Sequence, residues 1–206
     1  STMKKLLAII ALSTLVLASC QSEKKLADKI AGTWSGNPER LFNNSVGEAT
    51  LTETYTFQNN DANGHGGDVT IRAMVSLAKI MPSVPGDSIQ PITLTGSGEA
   101  TISATWEADD DDEIDIYVNM ADINVNIDPE GLKVTTNVND MSAYSDKPNL
   151  QELTPAQIAW FQQELNQALV NYYKPKMELD DIEFAHNDTY LTCKLNHKKL
   201  TLARDL

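Results

Sequence analysis

The feature that most constrains this chain is a long series of segments in which apolar and polar residues alternate. Every second residue from Val69 to Leu77 is apolar, and the residues between them are mostly polar. Successive side chains of a β-strand point to opposite faces, so a period of two indicates strands with one buried face. Such strands are typical of antiparallel sheets. The chain is therefore predicted to be mainly β.

The alternation recurs in ten segments, from which we predict a barrel of about eight to nine strands. Besides 69–77, we expect a short strand at Trp34 and strands over 49–58, 92–107, 114–118, 123–127, 132–138, 177–184, 189–195 and 199–204. Gly96-Ser97-Gly98 predicts a bulge or a corner within one of them. The proline-rich segment 79–91 predicts a loop long enough to act as a lid.

One segment has the period of a helix. Thr154 is a good N-cap, Pro155 suits the first helical position, and Gln157 completes a capping box. We therefore predict one amphipathic helix over 154–173, packed late in the chain. Its apolar stripe consists of Ile158, Phe161, Leu165, Ala168, Leu169 and Tyr172.

The first predicted strand carries a Gly-x-Trp motif, Gly32-Thr33-Trp34. Gly32 lets the backbone pass close to a neighbour, and Trp34 is large enough to cap one end of a core. This strand is so short that it would leave the edge of the last strand exposed unless the two paired. That favours a closed antiparallel barrel with a packed helix over the alternative, a two-sheet sandwich with the helix across one end.

The Gly-x-Trp entry resembles the lipocalin-like (calycin) lipoproteins common in Bacteroidetes. Their barrels open with this motif and close with an Arg on or after the last strand, where this chain has Arg204. The resemblance implies a lipocalin-like β-barrel in which Arg204 stacks on Trp34 and seals the closed end. The alternative is that Arg204 lies in a frayed C-terminus.

Residues 1–19 have the organisation of a lipoprotein signal peptide. Lys4 and Lys5 precede an apolar run that ends in Leu-Ala-Ser immediately before Cys20. This lipobox-like ending implies cleavage before Cys20 and acylation of that residue. Ser1 and Thr2 are expected to be tag residues ahead of the natural start. The alternative, a transmembrane anchor, is disfavoured because the run is shorter than the ~20 residues that a spanning helix needs.

We therefore divide the chain into a leader over 1–19, a lipidated tether or frayed helix over 20–29, and a barrel domain over 30–206. Acyl chains on Cys20 would hold the protein at a membrane without spanning it. By resemblance to bacterial sorting rules, Gln21 in place of Asp favours the outer membrane. The scarcity of acidic residues just after Cys20 favours the periplasmic leaflet over the cell surface.

The charge and cysteine content exclude several partners. The chain carries 16 basic and 29 acidic residues, and loss of Lys4 and Lys5 with the leader would take the net charge of −13 to about −15. Nucleic acid is therefore a poor partner. With Cys20 lipidated, Cys193 has no cysteine partner, and we expect it to be a buried, inert thiol.

The inward face of the predicted strands could line a ligand cavity. Its members are Tyr55, Phe57, Ile71, Ala73, Val75, Ile102, Ala104, Trp106, Ile116 and Val125. The alternative is that these side chains simply fill the core, as in most small barrels. Small residues such as Ala73 and Ala104 leave room either for a ligand or for the helix.

No catalytic motif is present in the sequence, so we expect no enzyme activity and no cofactor. The acidic turn with Asp109, Asp111 and Glu113 is a weak candidate for a metal site, but its spacing does not match that of a calcium-binding loop. His65, His186 and His197 are far apart in sequence and fall in predicted turns, which argues against a zinc site.

Two functions follow from these expectations. In the first, the anchored barrel binds a small hydrophobic ligand. In the second, the protein is a non-catalytic accessory subunit of an outer-membrane envelope complex, presenting the 79–91 loop and the side chains of Trp160 and Tyr173, which flank the helix stripe and are expected to be exposed.

Overall fold

The computed structural model describes residues 20–81, 92–136 and 153–206. They form two α-helices and an 11-stranded antiparallel sheet. In chain order these are α1 (20–30), β1 (Gly32–Gly36), β2 (Glu39–Asn44), β3 (Gly47–Phe57), β4 (Gly66–Ile80), β5 (Ile92–Ala108), β6 (Ile114–Val118), β7 (Asn126–Ile127), β8 (Lys133–Thr136), α2 (Pro155–Tyr172), β9 (Lys176–Ala185), β10 (Tyr190–Leu195) and β11 (Lys198–Arg204).

Eight of the strands close into an antiparallel barrel, which confirms the predicted fold and excludes the sandwich. Their order is β1-β11-β10-β9-β6-β5-β4-β3, and β1 completes the ring by pairing with both β11 and β3. β2 also pairs with β3, whereas β7 and β8 pair with the first half of β5. The closed barrel is consistent with a lipocalin-like fold.

The wall of the barrel opens between β2 and β11. β1 pairs with β11 only as far as Gly36 and Leu202, and Pro38 then interrupts the strand. Pro38 has no N–H to donate to a ladder, so it suits this break. The chain resumes pairing with β3 at Glu39, and among the described strands β3 is the only partner of β2. We call this gap beside β2 the seam.

The late helix α2 covers the end of the barrel where β4 ends and β5 begins. Its capping box has formed, because Thr154 Oγ1 accepts from the Gln157 N–H and Gln157 Oε1 accepts from the Thr154 N–H. Phe161, Leu165 and Leu169 are fully buried in the core that the strands form. The predicted helix and its packing are confirmed.

Polar contacts tie α2 to its neighbours. Gln162 Nε2 donates to the carbonyl of Val125 at 2.8 Å, and the Val125 N–H donates to Asn166 Oδ1 at 3.1 Å. On β4, Lys79 forms an ion pair with Glu164 of α2. Val125 thus bonds to helix side chains instead of a strand, which is why the predicted strand over 123–127 is reduced to β7.

The predicted bulge or corner at Gly96-Ser97-Gly98 is wrong. β5 continues through these residues and stays in register with β4. A Cβ atom on Gly96 would lie 2.4 Å from Leu132 and 3.1 Å from Phe161, and one on Gly98 would lie 2.4 Å from Val125. The glycines therefore make room on the inward face for α2 and the segments before it.

Several predicted boundaries move. Lys79 and Ile80 belong to β4, so the predicted loop over 79–91 starts later than expected. Residues 82–91 lie outside the described residues, as does Val138, the end of another predicted strand. The last three predicted strands are confirmed as β9, β10 and β11.

Residues 20–29, predicted as a tether or a frayed helix, belong to α1. Leu26, Ala27 and Ile30 are buried in the barrel core, and Lys24 and Lys25 are exposed on the opposite face of the helix. α1 therefore covers the end of the barrel opposite α2. Within the described residues, neither helix combines the length and the apolar character that crossing a bilayer requires.

Candidate functional site

The structure brings Trp34 and Arg204 together beneath α1. They are cross-strand neighbours on β1 and β11, and the guanidinium carbon lies 4.2 Å from the centroid of the fully buried indole ring. A cation over an indole face is attracted by the ring quadrupole, with an energy of about 0.5–2 kcal/mol. The ring nitrogen of Trp34 donates to the carbonyl of Ile30 at 2.7 Å, which fixes α1 to the ring.

Arg204 also joins β11 to two other segments of main chain, the end of α1 and the β9–β10 turn. Its Nη1 donates to the carbonyl of Ala31 at 2.8 Å, Nη2 to that of Lys29 at 2.5 Å, and Nε to that of Asp188 at 3.1 Å. Gly32 has a φ of +125°, and a Cβ atom there would lie 2.7 Å from Nη1. Both the backbone conformation and the approach of the guanidinium therefore require glycine in the Gly-x-Trp motif.

A buried carboxylate lies deeper in the barrel. Glu53 is only 4% exposed and shares the inward face of β3 with Leu51, Tyr55 and Phe57. Glu53 was not among the site residues predicted from the sequence. Glu53 is the one acidic residue among apolar residues on that face, and this interruption of the alternation is the signal that could have identified it.

Three tyrosine hydroxyls donate to Glu53. Tyr55 and Tyr173 reach Oε2 at 2.7 and 2.6 Å, and Tyr172 reaches Oε1 at 3.4 Å. Loss of water on burial raises the pKa of Glu53, and the three hydroxyls oppose that rise. Burial and the nearby carboxylate raise the pKa of all three tyrosines, so their hydroxyls stay protonated at neutral pH.

The position of Tyr173 corrects a prediction. We expected it on an exposed flank of the helix, but it is 2% exposed because it caps the end of α2 and turns inward to Glu53. Trp160, on the other predicted flank, is partly buried against the core. The exposed aromatic pair expected on this helix is therefore absent from the described surface.

Tyr172 connects the buried carboxylate to the seam. Its hydroxyl lies 3.1 Å from Oε2 of Glu39 on β2 and 3.4 Å from Oε1 of Glu53, so its single proton is shared between the two carboxyl groups. Glu39 forms an ion pair with Lys198, the first residue of β11, across the gap in the wall. Hydrogen-bonded groups thus run from Glu53 inside the barrel, through Tyr172 and Glu39, to Lys198 at the surface.

A cleft of about 150 Å³ lies at the seam beside these groups. We call it the seam cleft; it is lined by Glu39, Tyr172, Lys174, Met177, Leu195, Asn196, Lys198, Lys199 and Leu200. Met177 and Leu195 are buried, whereas the three lysines are exposed. The cleft therefore has an apolar inner wall and a cationic rim.

Two more clefts lie on the outer surface and are more open. One lies between α1 and the β9–β10 turn, where the lysines of α1 face Asp28 and Asp188. The other includes Asn60 and Trp106, but the indole N–H of Trp106 already donates to main-chain carbonyls. Neither combines buried apolar side chains with unpaired polar groups as the seam cleft does.

The ten predicted ligand-lining side chains all lie in the core. Each is 7% exposed or less: Tyr55, Phe57, Ile71, Ala73, Val75, Ile102, Ala104, Trp106, Ile116 and Val125. Phe161, Leu165 and Leu169 of α2 belong to the same continuous core. Phe161 of the helix thus occupies the space that Gly96 leaves open.

The acidic turn does not gather its carboxylates around one point. Asp109, Asp111 and Glu113 lie in the turn between β5 and β6, which the Asp109 N–H closes by donating to the Glu113 carbonyl at 3.0 Å. Among the described residues, no three His, Cys, Asp or Glu side chains could hold a metal ion. Loss of water and repulsion between neighbouring carboxylates raise the pKa of Asp112 and Glu113.

The remaining candidates are two free cysteines and three histidines. Cys193 is buried, and burial raises the pKa of its thiol to about 12, which keeps it protonated and unreactive at neutral pH. Cys20 is partly exposed at the first described position of α1. His65, His186 and His197 lie in three different turns between strands.

The chain matches no protein-family model, no curated protein and no solved structure. The features of the chain that bear on function are the lipobox-like segment before Cys20, the Glu53 network and the seam cleft.

Proposed function

We propose that this protein is a lipoprotein, anchored to the periplasmic leaflet of the outer membrane through acyl chains on Cys20, that binds a small hydrophobic ligand without catalysis. The ligand occupies the seam cleft. The observation that carries this proposal is the gap between β2 and β11, where buried apolar side chains border open space. Concave sites with apolar walls and a few polar groups are typical ligand sites.

The seam is a better place for the ligand than the middle of the barrel. Phe161, Leu165 and Leu169 of α2 are fully buried in the interior, so a ligand there would have to displace the helix. Displacement would break the bonds of Gln162 and Asn166 to Val125 and separate Tyr173 from Glu53. A ligand in the seam cleft requires neither change.

Anchoring is supported by the sequence before Cys20 and by the partial exposure of that residue beside the barrel. In cells that express the 206-residue chain, a labelled fatty acid should be incorporated, and the protein should fractionate with the outer membrane and resist protease added to intact cells. Cys20→Ser should abolish labelling, and Cys193→Ser should not. Equal labelling of wild type and Cys20→Ser would contradict the proposal.

Binding can be tested with hexanol as a neutral apolar probe of the seam cleft. Saturation-transfer NMR on the 206-residue chain should detect bound hexanol. Leu200→Asn should weaken it because Leu200 lines the cleft, whereas Leu206→Asn, at a fully exposed position, should not. Saturation transfer to hexanol that is unchanged in Leu200→Asn would place the ligand elsewhere.

An accessory subunit of an envelope complex is the alternative. The proposed anchor fits both functions, but burial of Tyr173 removes one of the side chains expected to contact a partner. Cross-linking in intact cells followed by purification from detergent distinguishes the two. Recovery of one partner at a fixed ratio would favour the accessory subunit, and recovery of this chain alone would favour the ligand-binding barrel.

A further inference from the structure

We infer that the seam cleft binds an anionic group on its ligand through Lys174, Lys198 and Lys199, so that the ligand is a small organic acid with an apolar tail. This inference rests on the proposed function, because it assigns the chemical class of a ligand bound at the same cleft. It adds a charge requirement that a purely hydrophobic ligand does not have.

The first observation is the concentration of positive charge. The chain has a net charge of −13, yet three lysines and one carboxylate, Glu39, line this small cleft. Among the described residues, neither Lys174 nor Lys199 forms an ion pair, whereas Lys194 and Lys176 nearby are both paired with acidic residues. Unpaired cations in a strongly acidic protein are a local attraction for anions.

The second observation is the partner of Lys198. Its ammonium group contacts the carboxylate of Glu39 across the seam. Lys198 is therefore placed where it can also reach the acid group of a ligand in the cleft. The Tyr172 hydroxyl already directs its single proton to Glu39 and Glu53, so the ammonium of Lys198, with three protons, is the donor that an incoming acid group would share. An incoming acid group would take a position beside this donor, and Lys174 and Lys199 would balance the added negative charge.

The third observation sets the size of the tail. Met177, Leu195 and Leu200 provide the apolar part of the lining, and the cleft measures about 150 Å³. Typical sites for drug-sized ligands span about 300–1,000 Å³. A chain of a few carbons fits this space, so the acid expected here is short.

The test compares three probes on the 206-residue chain by calorimetry at low salt: hexanoate, hexanol and acetate. Hexanoate should bind most tightly, and its affinity should fall as salt is added because the rim is exposed. Lys199→Gln should weaken hexanoate about fivefold, which is the effect of one exposed charge pair of about 1 kcal/mol. Lys194→Gln removes the same charge from an exposed lysine that is paired with Asp181, and it should change the affinity less than twofold.

The outcomes separate the inference from the proposed function. Hexanol that binds as tightly as hexanoate, with no effect of Lys199→Gln, would overturn the inference and leave the apolar site standing. Acetate that binds as tightly as hexanoate, with the lysine dependence intact, would support the anion site and contradict a hydrophobic ligand. Binding of none of the three probes would overturn both.

Discussion

The two ends of the barrel are closed by opposite chemistry. Beneath α1, the cation of Arg204 stacks on Trp34 and donates to main-chain carbonyls, which do not titrate. Towards α2, the carboxylate of Glu53 accepts from tyrosine hydroxyls and connects through Tyr172 to the surface. The contacts at the α1 end are therefore fixed. On the α2 side the charge of Glu53 and its contacts can change, and the seam cleft lies on this side.

The largest effect is expected for Trp34→Ala, which removes the side chain on which the α1 end is built. Trp34 is fully buried, and Trp→Ala in a core typically costs about 3–5 kcal/mol. Chemical denaturation should show a loss of this size in the free energy of unfolding. Tyr117→Ala, at a residue 41% exposed, is the control and should cost far less. Similar losses for the two variants would contradict the role given to Trp34.

Arg204→Lys should have the next largest effect. Lysine keeps the charge but cannot reach the carbonyls of Lys29, Ala31 and Asp188 together, because it lacks the planar fork of arginine. A loss of about 2 kcal/mol is expected, which corresponds to one or two charge-assisted hydrogen bonds. Thermal unfolding measures this loss of stability. Unchanged stability would mean that the planar guanidinium of Arg204 contributes nothing to closing this end.

On the α2 side, Gly98→Ala tests how tightly the helix side is packed. A Cβ atom at Gly98 would lie 2.4 Å from Val125 and 2.9 Å from the carbonyl of Asn126. Overpacking of this kind costs about 1–3 kcal/mol. Gly131→Ala is the matched control, since a Cβ atom there meets nothing within 4 Å. Equal stability of the two variants would show that this side is looser than the structure indicates.

Near neutral pH the smallest net change in the free energy of unfolding is expected for Glu53→Gln. The variant loses the hydrogen bonds that the carboxylate accepts, but it also removes a buried charge, and the two effects oppose each other. Its pH dependence is the informative part. Burial raises the pKa of Glu53, so at pH values between the unfolded and the folded pKa the folded protein keeps a proton that the unfolded chain has lost. The associated stability is complete below the unfolded pKa of about 4.3 and is lost as pH rises through the raised folded pKa.

Denaturation of wild type and Glu53→Gln from pH 4 to about pH 8 measures this difference. The free energy of unfolding of the wild type should fall relative to that of the variant as pH rises. Glu99→Gln is the control, because the hydrogen bond from Arg72 lowers the pKa of Glu99. Its contribution is lost only as pH falls below the unfolded pKa, so its difference from wild type should stay nearly constant over this range. The same slope for both variants would contradict the raised pKa of Glu53.

Closure of the barrel and the helix α2 were predictable from sequence, whereas the burial of α1 and the contacts of Glu53 were not. Alternation indicates which strand faces point inward, and a short first strand is expected to pair with the last one. The position of Arg204 against Trp34 was implied only by the resemblance of the Gly-x-Trp motif. Helical period and capping likewise predicted α2. These features depend on patterns among neighbouring residues, which are visible in the sequence.

The contacts on the α2 side depend on how distant segments meet. Glu53 looks like an ordinary interruption of a strand until Tyr172 and Tyr173, more than a hundred positions later, bring hydroxyls to it. Gly96 and Gly98 suggested a bulge because the sequence does not show that Leu132, together with Phe161 of α2, packs over Gly96 and that Val125 packs over Gly98. The seam cleft arises where the pairing of β1 with β11 stops at Gly36. Pro38 marks this break locally, but the sequence does not show that β11 continues past it beside β2.

Hydrogen exchange with and without hexanoate tests most directly whether binding occurs on the side of the seam. With hexanoate we expect increased protection from exchange for amides in the last turn of α2 and in the β10–β11 hairpin, because both line the cleft. Amides of β1 and α1 around Trp34 and Arg204 should exchange at unchanged rates. Loss of protection throughout α2, with new protection along β4 and β5, would mean that the ligand enters the barrel and displaces the helix, contrary to this account.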